Sequence, residues 1–222
     1  QQYLVLTFDG QELSADEGRV QEYFPPTPED GGFDVAWPAR PADEPDFADA
    51  IVGQLERKGY CMVQTCLPPE HRQEAAEEAA ARADFESLSL ELDMPYMGSG
   101  DRARVSTLPR APRDLPPSGV LDMCDQSLDA LAVLLQPLAP GALGFEVFDR
   151  TLCMARVPAL EHQENEPVWL EEVVDGQLRA TIDFMRRRRL ALLHLLQAGE
   201  GSEVELTPLR ARGARFERTV LP

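Results

Sequence analysis

The sequence predicts an α+β fold, with a helical first half packed on an antiparallel β-sheet in the second. Two observations predict it. Before residue 140, apolar residues recur at helical spacing in segments closed by Gly or Pro. Beyond Gly144, short apolar runs alternate with turn pairs such as Asp175-Gly176, the pattern of an antiparallel meander. A chain of 222 residues, 43% of them hydrophobic, is long enough for one sizeable core. The composition divides it into an amino-terminal hairpin/helix with a Pro-rich acidic strap (residues 1–45) and an α+β domain (residues 46–222).

Tyr3 to Phe8 reads as a strand ending at the turn pair Asp9-Gly10. Ser14 and Glu17 stand at capping-box spacing, so a helix is expected to run to about Phe24 and stop at Pro25-Pro26. The segment from there to Pro45 holds Pro28, Pro38 and Pro41 and many acids, which suits an extended surface strap pinned by Phe33 and Trp37. Asp46 caps the next helix, where Phe47, Ala50, Ile51 and Leu55 share a face before Gly59 ends it.

Tyr60 to Cys66 follows as a strand, and after Pro68-Pro69 the Ala-, Glu- and Arg-rich run His71 to Ala83 favours helix by propensity. Residues 93–119, broken by five prolines, read as a long irregular loop. Leu121 to Leu138 is a helix with Leu128, Leu131, Leu135 and Leu138 on one stripe. Strands are expected at Phe145 to Val157, Val168 to Val174, Leu178 to Phe184, Leu190 to Leu196, Val204 to Leu209 and Phe216 to Leu221.

The 39 acidic residues against 21 basic ones give a net charge of -18. That disfavours nucleic acid and anionic membrane surfaces and favours a protein partner with a basic surface. The acidic runs Asp16 to Glu29, Asp43 to Asp49 and Glu161 to Glu166 are the natural contacts for it, with Trp37, Trp169 and Phe33 as candidate anchors. Lys58 is the only lysine; every other basic residue carries a guanidinium suited to planar carboxylate pairing. In Arg186 to Arg189, strand alternation would send two residues to each face, where internal carboxylates pair with them.

No apolar run approaches the ~20 residues of a membrane span. Cys61, Cys66, Cys124 and Cys153 lack the paired close spacing of a zinc site and read as small buried hydrophobes. There is no phosphate-binding Gly loop, nucleophile elbow or Cys/His nucleophile signature. The chain opens at Gln1 without methionine or a signal-peptide pattern, which fits either a removed presequence or an end that this sequence does not include. The compartment stays open, with an intracellular setting expected and a large organellar complex one form of it.

Residues 46–83, a helix followed by Gly59 to Leu67, Pro68-Pro69 and a second helix, resemble the entry of an iron/2-oxoglutarate oxygenase. Arg188 to Leu196 followed by Gly199 to Leu206 resembles the prolyl-hydroxylase-type segment in which an arginine-led apolar strand runs into a glycine turn. The resemblance touches about half the chain. It implies a partial double-stranded β-helix and, in an active enzyme, Fe(II) and 2-oxoglutarate held by a His-x-Asp/Glu pair and a later His.

The pair would fall at Leu178 to Met185, which contains Asp183 and no histidine, while the later His and the cosubstrate-gripping residue would fall beyond Pro222. The sequence therefore assigns no catalytic residue. An alternative ligand set is His162, Glu164 and His194, in which His162-Gln163-Glu164 fits His-x-Glu. His71, at a helix start, reads as a surface residue. A second resemblance, carried by Leu55 to Tyr60 and Arg215 to Pro222, is to the amino-terminal accessory regions of algal polyketide synthases. The expectation is a non-catalytic structural or protein-interaction subunit on a degenerate oxygenase-like fold. Its alternatives are an Fe(II)/2-oxoglutarate dioxygenase and a polyketide-synthase-like accessory domain.

Overall fold

The computed structural model describes residues 2–6, 12–16, 27, 31–87, 103–110, 117–158, 182–183, 186–197, 204–206 and 219–221. It combines helices with small, mainly antiparallel sheets. The chain forms two compact units. The first is Gln1–Glu74, Ala111–Arg150 and Leu195–Pro222; the second is Ala75–Arg110 and Thr151–His194.

The first unit opens with an antiparallel hairpin, β1 (Gln2–Leu6) with β2 (Glu12–Asp16), in register from Gln2 opposite Asp16 to Leu6 opposite Glu12. This corrects the start of the helix expected from Ser14, whose continuation over residues 17–24 lies outside the described residues. Glu12 to Asp16 alternates polar and apolar residues, a period of two that suits a strand, and pairing with β1 outweighs the capping signal.

Part of the strap is internal. β3 (Val35–Ala36) pairs in parallel with β4 (Val63–Gln64), so the expected Tyr60 to Cys66 strand is shorter than the sequence suggests. Trp37 follows β3 and is buried, its ring 5.2 Å from that of Phe47. A 3-10 turn, Pro41–Asp43, then leads into α1 (Glu44–Lys58). Acids in the first turn and Arg57 and Lys58 in the last complement the helix dipole. Gly59 ends the helix at φ 84°, a left-handed conformation that favours glycine, with its N–H bonded to Leu55 O at 3.0 Å. Phe47, Ala48, Ile51 and Val52 are the buried face.

α2 (Pro69–Ala80) follows the Pro68-Pro69 turn, as its composition predicts. The helix expected at Leu121 to Leu138 is α3 (Val120–Leu135), which packs against α1. Leu128, Leu131 and Leu135 are buried on it as the spacing predicts, and so are Asp125 and Asp129. Asp122 reaches back to accept hydrogen bonds from the N–H and hydroxyl of Ser118 ahead of the first turn. A short helix, α4 (Ala139–Ala142), completes this region.

The second unit is built on a three-stranded antiparallel sheet in the order β5 (Glu86–Ser87), β6 (Ala103–Thr107) and β7 (Met154–Pro158). β6 runs from Ala103 opposite Pro158 to Thr107 opposite Met154. A central strand therefore occupies part of the expected irregular stretch 93–119. It fits between Pro95 and Pro109, where every residue has a backbone N–H to give to the ladder.

The β-rich second half is also corrected. Of Phe145 to Val157 only the end is strand, from Met154, and residues 182–183 are helical where Leu178 to Phe184 was expected to be extended. Residues 190–196 have alternating exposure but belong to no ladder among the described residues. Val168 to Val174 and the helix expected up to Phe24 lie outside the described residues. β8 (Val204–Leu206) and β9 (Thr219–Leu221) do form an antiparallel pair. None of the described sheets is a double-stranded β-helix.

Candidate functional site

The first unit holds an open groove of about 410 Å³ where the start of α1 meets the end of α3. Pro45 and Ala48 form its α1 side, while Val133, Leu134, Pro137 and Leu138 form the other. The chain makes this groove through side-chain size. Ala48 is 3% exposed and brings little bulk to the helix crossing, and Pro137, just past the end of α3, has no N–H with which to continue the helix. Val133 is left 48% exposed on the rim. Glu44 and Asp49, the remaining lining residues, edge this apolar surface with carboxylates.

Apolar walls with two acids suit recognition of a partly cationic apolar group. The groove lining contains no Ser, Cys, His or Lys, and its ionisable groups are the carboxylates of Glu44 and Asp49.

Three polar clusters elsewhere are accounted for by the fold. Arg150 spans two acids one helical turn apart on α3, 2.7 Å from Asp125 and 2.9 Å from Asp129. Burial pulls its guanidinium pKa down, and the bonds and charges of the two acids more than offset this, leaving it raised. Arg82, Asp84 and Ser106 form a second cluster, in which the Ser106 hydroxyl donates to Asp84 at 2.8 Å and accepts from Arg82 Nε at 2.5 Å. Hydrogen bonds from Arg82 and then Ser106 hold the exposed Asp84 carboxyl below the usual range.

In the third cluster, Lys58 Nζ lies 2.6 Å from Asp34 and 4.0 Å from the centre of the Tyr60 ring. The other Asp34 oxygen accepts the Met62 N–H at 2.7 Å. The preceding residue, Cys61, has its thiol pKa pushed up to about 12, first by burial and then by the Asp34 charge, with Lys58 opposing. Burial also raises Cys66.

The structure scatters the residues selected from sequence. Trp37 is 4% exposed inside the chain's own core, which leaves little of its ring for a partner, and Phe33 is half-buried. Trp169, His162 and Glu164 lie outside the described residues, as does the acidic run Glu161 to Glu166. His194 is half-buried in the extended run and His71 is half-buried on α2. No group of three His, Cys, Asp or Glu side chains is placed to hold a metal among the described residues. No described helix is long and apolar enough to cross a membrane.

None of the four cysteines forms a disulfide, and only Cys124 is fully buried; the other three are half-buried. Arg186, Arg187 and Arg189 are exposed and Arg188 is half-buried. The first two are helical, so the expected strand alternation does not hold there. Sequence reasoning selected the acids at Asp43 to Asp49 but not the groove beside them, because a groove depends on which helices cross. It also missed the Arg150 cluster. Two acids four residues apart within an apolar stripe, as at Asp125 and Asp129, were the available signal for a cation between them.

No protein-family model, curated protein or solved structure matches this chain.

Proposed function

We propose that this chain is a non-catalytic structural or protein-interaction subunit of a larger assembly, held by a partner with a basic surface. The observation that carries this reading is the acidic segment Asp43 to Asp49 bordering an open apolar groove, in a chain of net charge -18. Charge steers a basic partner toward the surface, and the apolar walls supply area for affinity. The finer reading, a degenerate oxygenase-like scaffold, rests on the resemblance of residues 46–83 and 188–206 and on the lack of a histidine in Leu178 to Met185.

The test is the mass of the native particle. Purified from its own source at low salt, the chain should elute in a complex well above its own 24.7 kDa. Elution as a monomer, together with micromolar binding of Fe(II) and 2-oxoglutarate that His162→Ala abolishes, would replace this reading with the dioxygenase one.

A further inference from the structure

We infer that the groove between α1 and α3 receives an amphipathic helix of a partner protein, one that presents adjacent aliphatic side chains flanked by Lys or Arg. This inference rests on the interaction-subunit reading and gives that reading a place and a chemistry. Three observations support it.

The groove's volume of about 410 Å³ suits a small number of large side chains, and its walls are apolar. Val133 is almost half exposed on the rim, so apolar area remains available for burial. Glu44 and Asp49 stand on the α1 side, and Asp46 is exposed close by in the first turn, so the border of the apolar surface is acidic. An aliphatic pair one helical turn apart enters such a groove while flanking cations meet the carboxylates, the usual form of helix-in-groove recognition. A second copy of this chain is a poorer occupant, because two bodies of charge -18 repel.

The probe is a fluorescein-labelled Leu/Lys amphipathic helix, titrated against the full chain by anisotropy. Two controls accompany it: a Leu/Glu helix and a Ser/Lys helix that keeps the charge and lacks the apolar face. The Leu/Lys helix should bind about tenfold or more tightly than either control. Val133→Glu is the decisive variant. It adds a negative charge at an exposed position, so binding by charge alone would strengthen, whereas binding through the groove should weaken about tenfold. Ala48→Met, which fills the floor, should weaken binding similarly, with a melting curve to show that the variant is folded. If it does not fold, Val133→Glu decides alone.

Equal binding of the Ser/Lys helix, or unchanged or tighter binding by Val133→Glu, would overturn the proposal. The two readings fail separately. A monomer in the native source removes the subunit reading but leaves groove binding of the Leu/Lys helix intact. Probe binding that is indifferent to Val133→Glu removes the groove and leaves the subunit reading standing.

Discussion

The Arg150 guanidinium contacts the buried Asp125 carboxylate at 2.7 Å across 25 residues of sequence and reaches Asp129 as well, so one cation serves two acids of the same helix. All three side chains are at most 12% exposed. The group ties the segment after α4 to the core face of α3.

Removing the cation should therefore be severe. Arg150→Ala leaves two buried carboxylates without it, and a cost of about 3–5 kcal/mol is expected in urea unfolding. Replacing all three charged side chains with apolar residues of similar volume should recover most of that loss. Equal stability of Arg150→Ala and the parent chain would show that the triad is not closed in solution.

Trp37 should behave as a core residue. With 4% exposure and Phe47 beside it, Trp37→Ala is expected to cost about 3–5 kcal/mol. Deleting residues 25–45 should be at least as damaging, because it also removes the partner strand of β4. Equilibrium denaturation of the two variants checks both. A cooperative parent-like transition in the deletion would return the segment to the role of a dispensable strap.

Cys61 sets a test in alkali. Its thiol ionises near 9.0 when unfolded and near 12 when folded, so above 9 the unfolded chain releases this proton first. Stability should fall as pH rises from about 9 and the Cys61 contribution should level off near 12. Comparing urea midpoints across that window for the parent and Cys61→Ala isolates the contribution. For the same reason iodoacetamide should alkylate Cys61 far more slowly in the native chain than in urea at about pH 8. Equal rates would mean that the thiol is open to solvent.

Calorimetry with Fe(II) and 2-oxoglutarate is expected to show no heat, because Leu178 to Met185 supplies no histidine beside Asp183. Micromolar binding lost in His162→Ala would establish the alternative set of His162, Glu164 and His194.

Salt should slow assembly with the native partner more than it speeds dissociation, since rim carboxylates act mainly on encounter. Stopped-flow association over a salt series, repeated with Asp46 and Asp49 changed to Asn, provides the measurement. An association rate that is indifferent to both would remove electrostatic steering from the account.

Much of the helical architecture was legible in the sequence. α1 and α3 combine a period of 3.6 with clear ends, and Gly59 marks one of them. The hairpin was half legible: the strand at Tyr3 is plain, but Ser14 and Glu17 fit a capping box as well as they fit a strand, and only pairing with β1 decides. β6 was hidden because Pro95 and Pro109 on either side of it dominate the local sequence pattern. Residues 190–196 show the reverse error: they alternate in exposure but have no ladder partner among the described residues. The candidate site was the least legible feature. Its acids are visible in sequence, but its apolar floor exists only where Ala48 meets the end of α3.

Lys58 carries the chain's single ε-amine, and Asp34 and Tyr60 hold it in place. Any process that works through lysine in this sequence, whether acylation, attachment of a modifier protein or an amine-reactive cross-linker, has one side-chain address. Reaching it means opening the ion pair whose carboxylate also accepts the Met62 N–H beside β4. Lysine chemistry on this protein would therefore act on the joint between α1 and β4 and would report on whether that joint is closed.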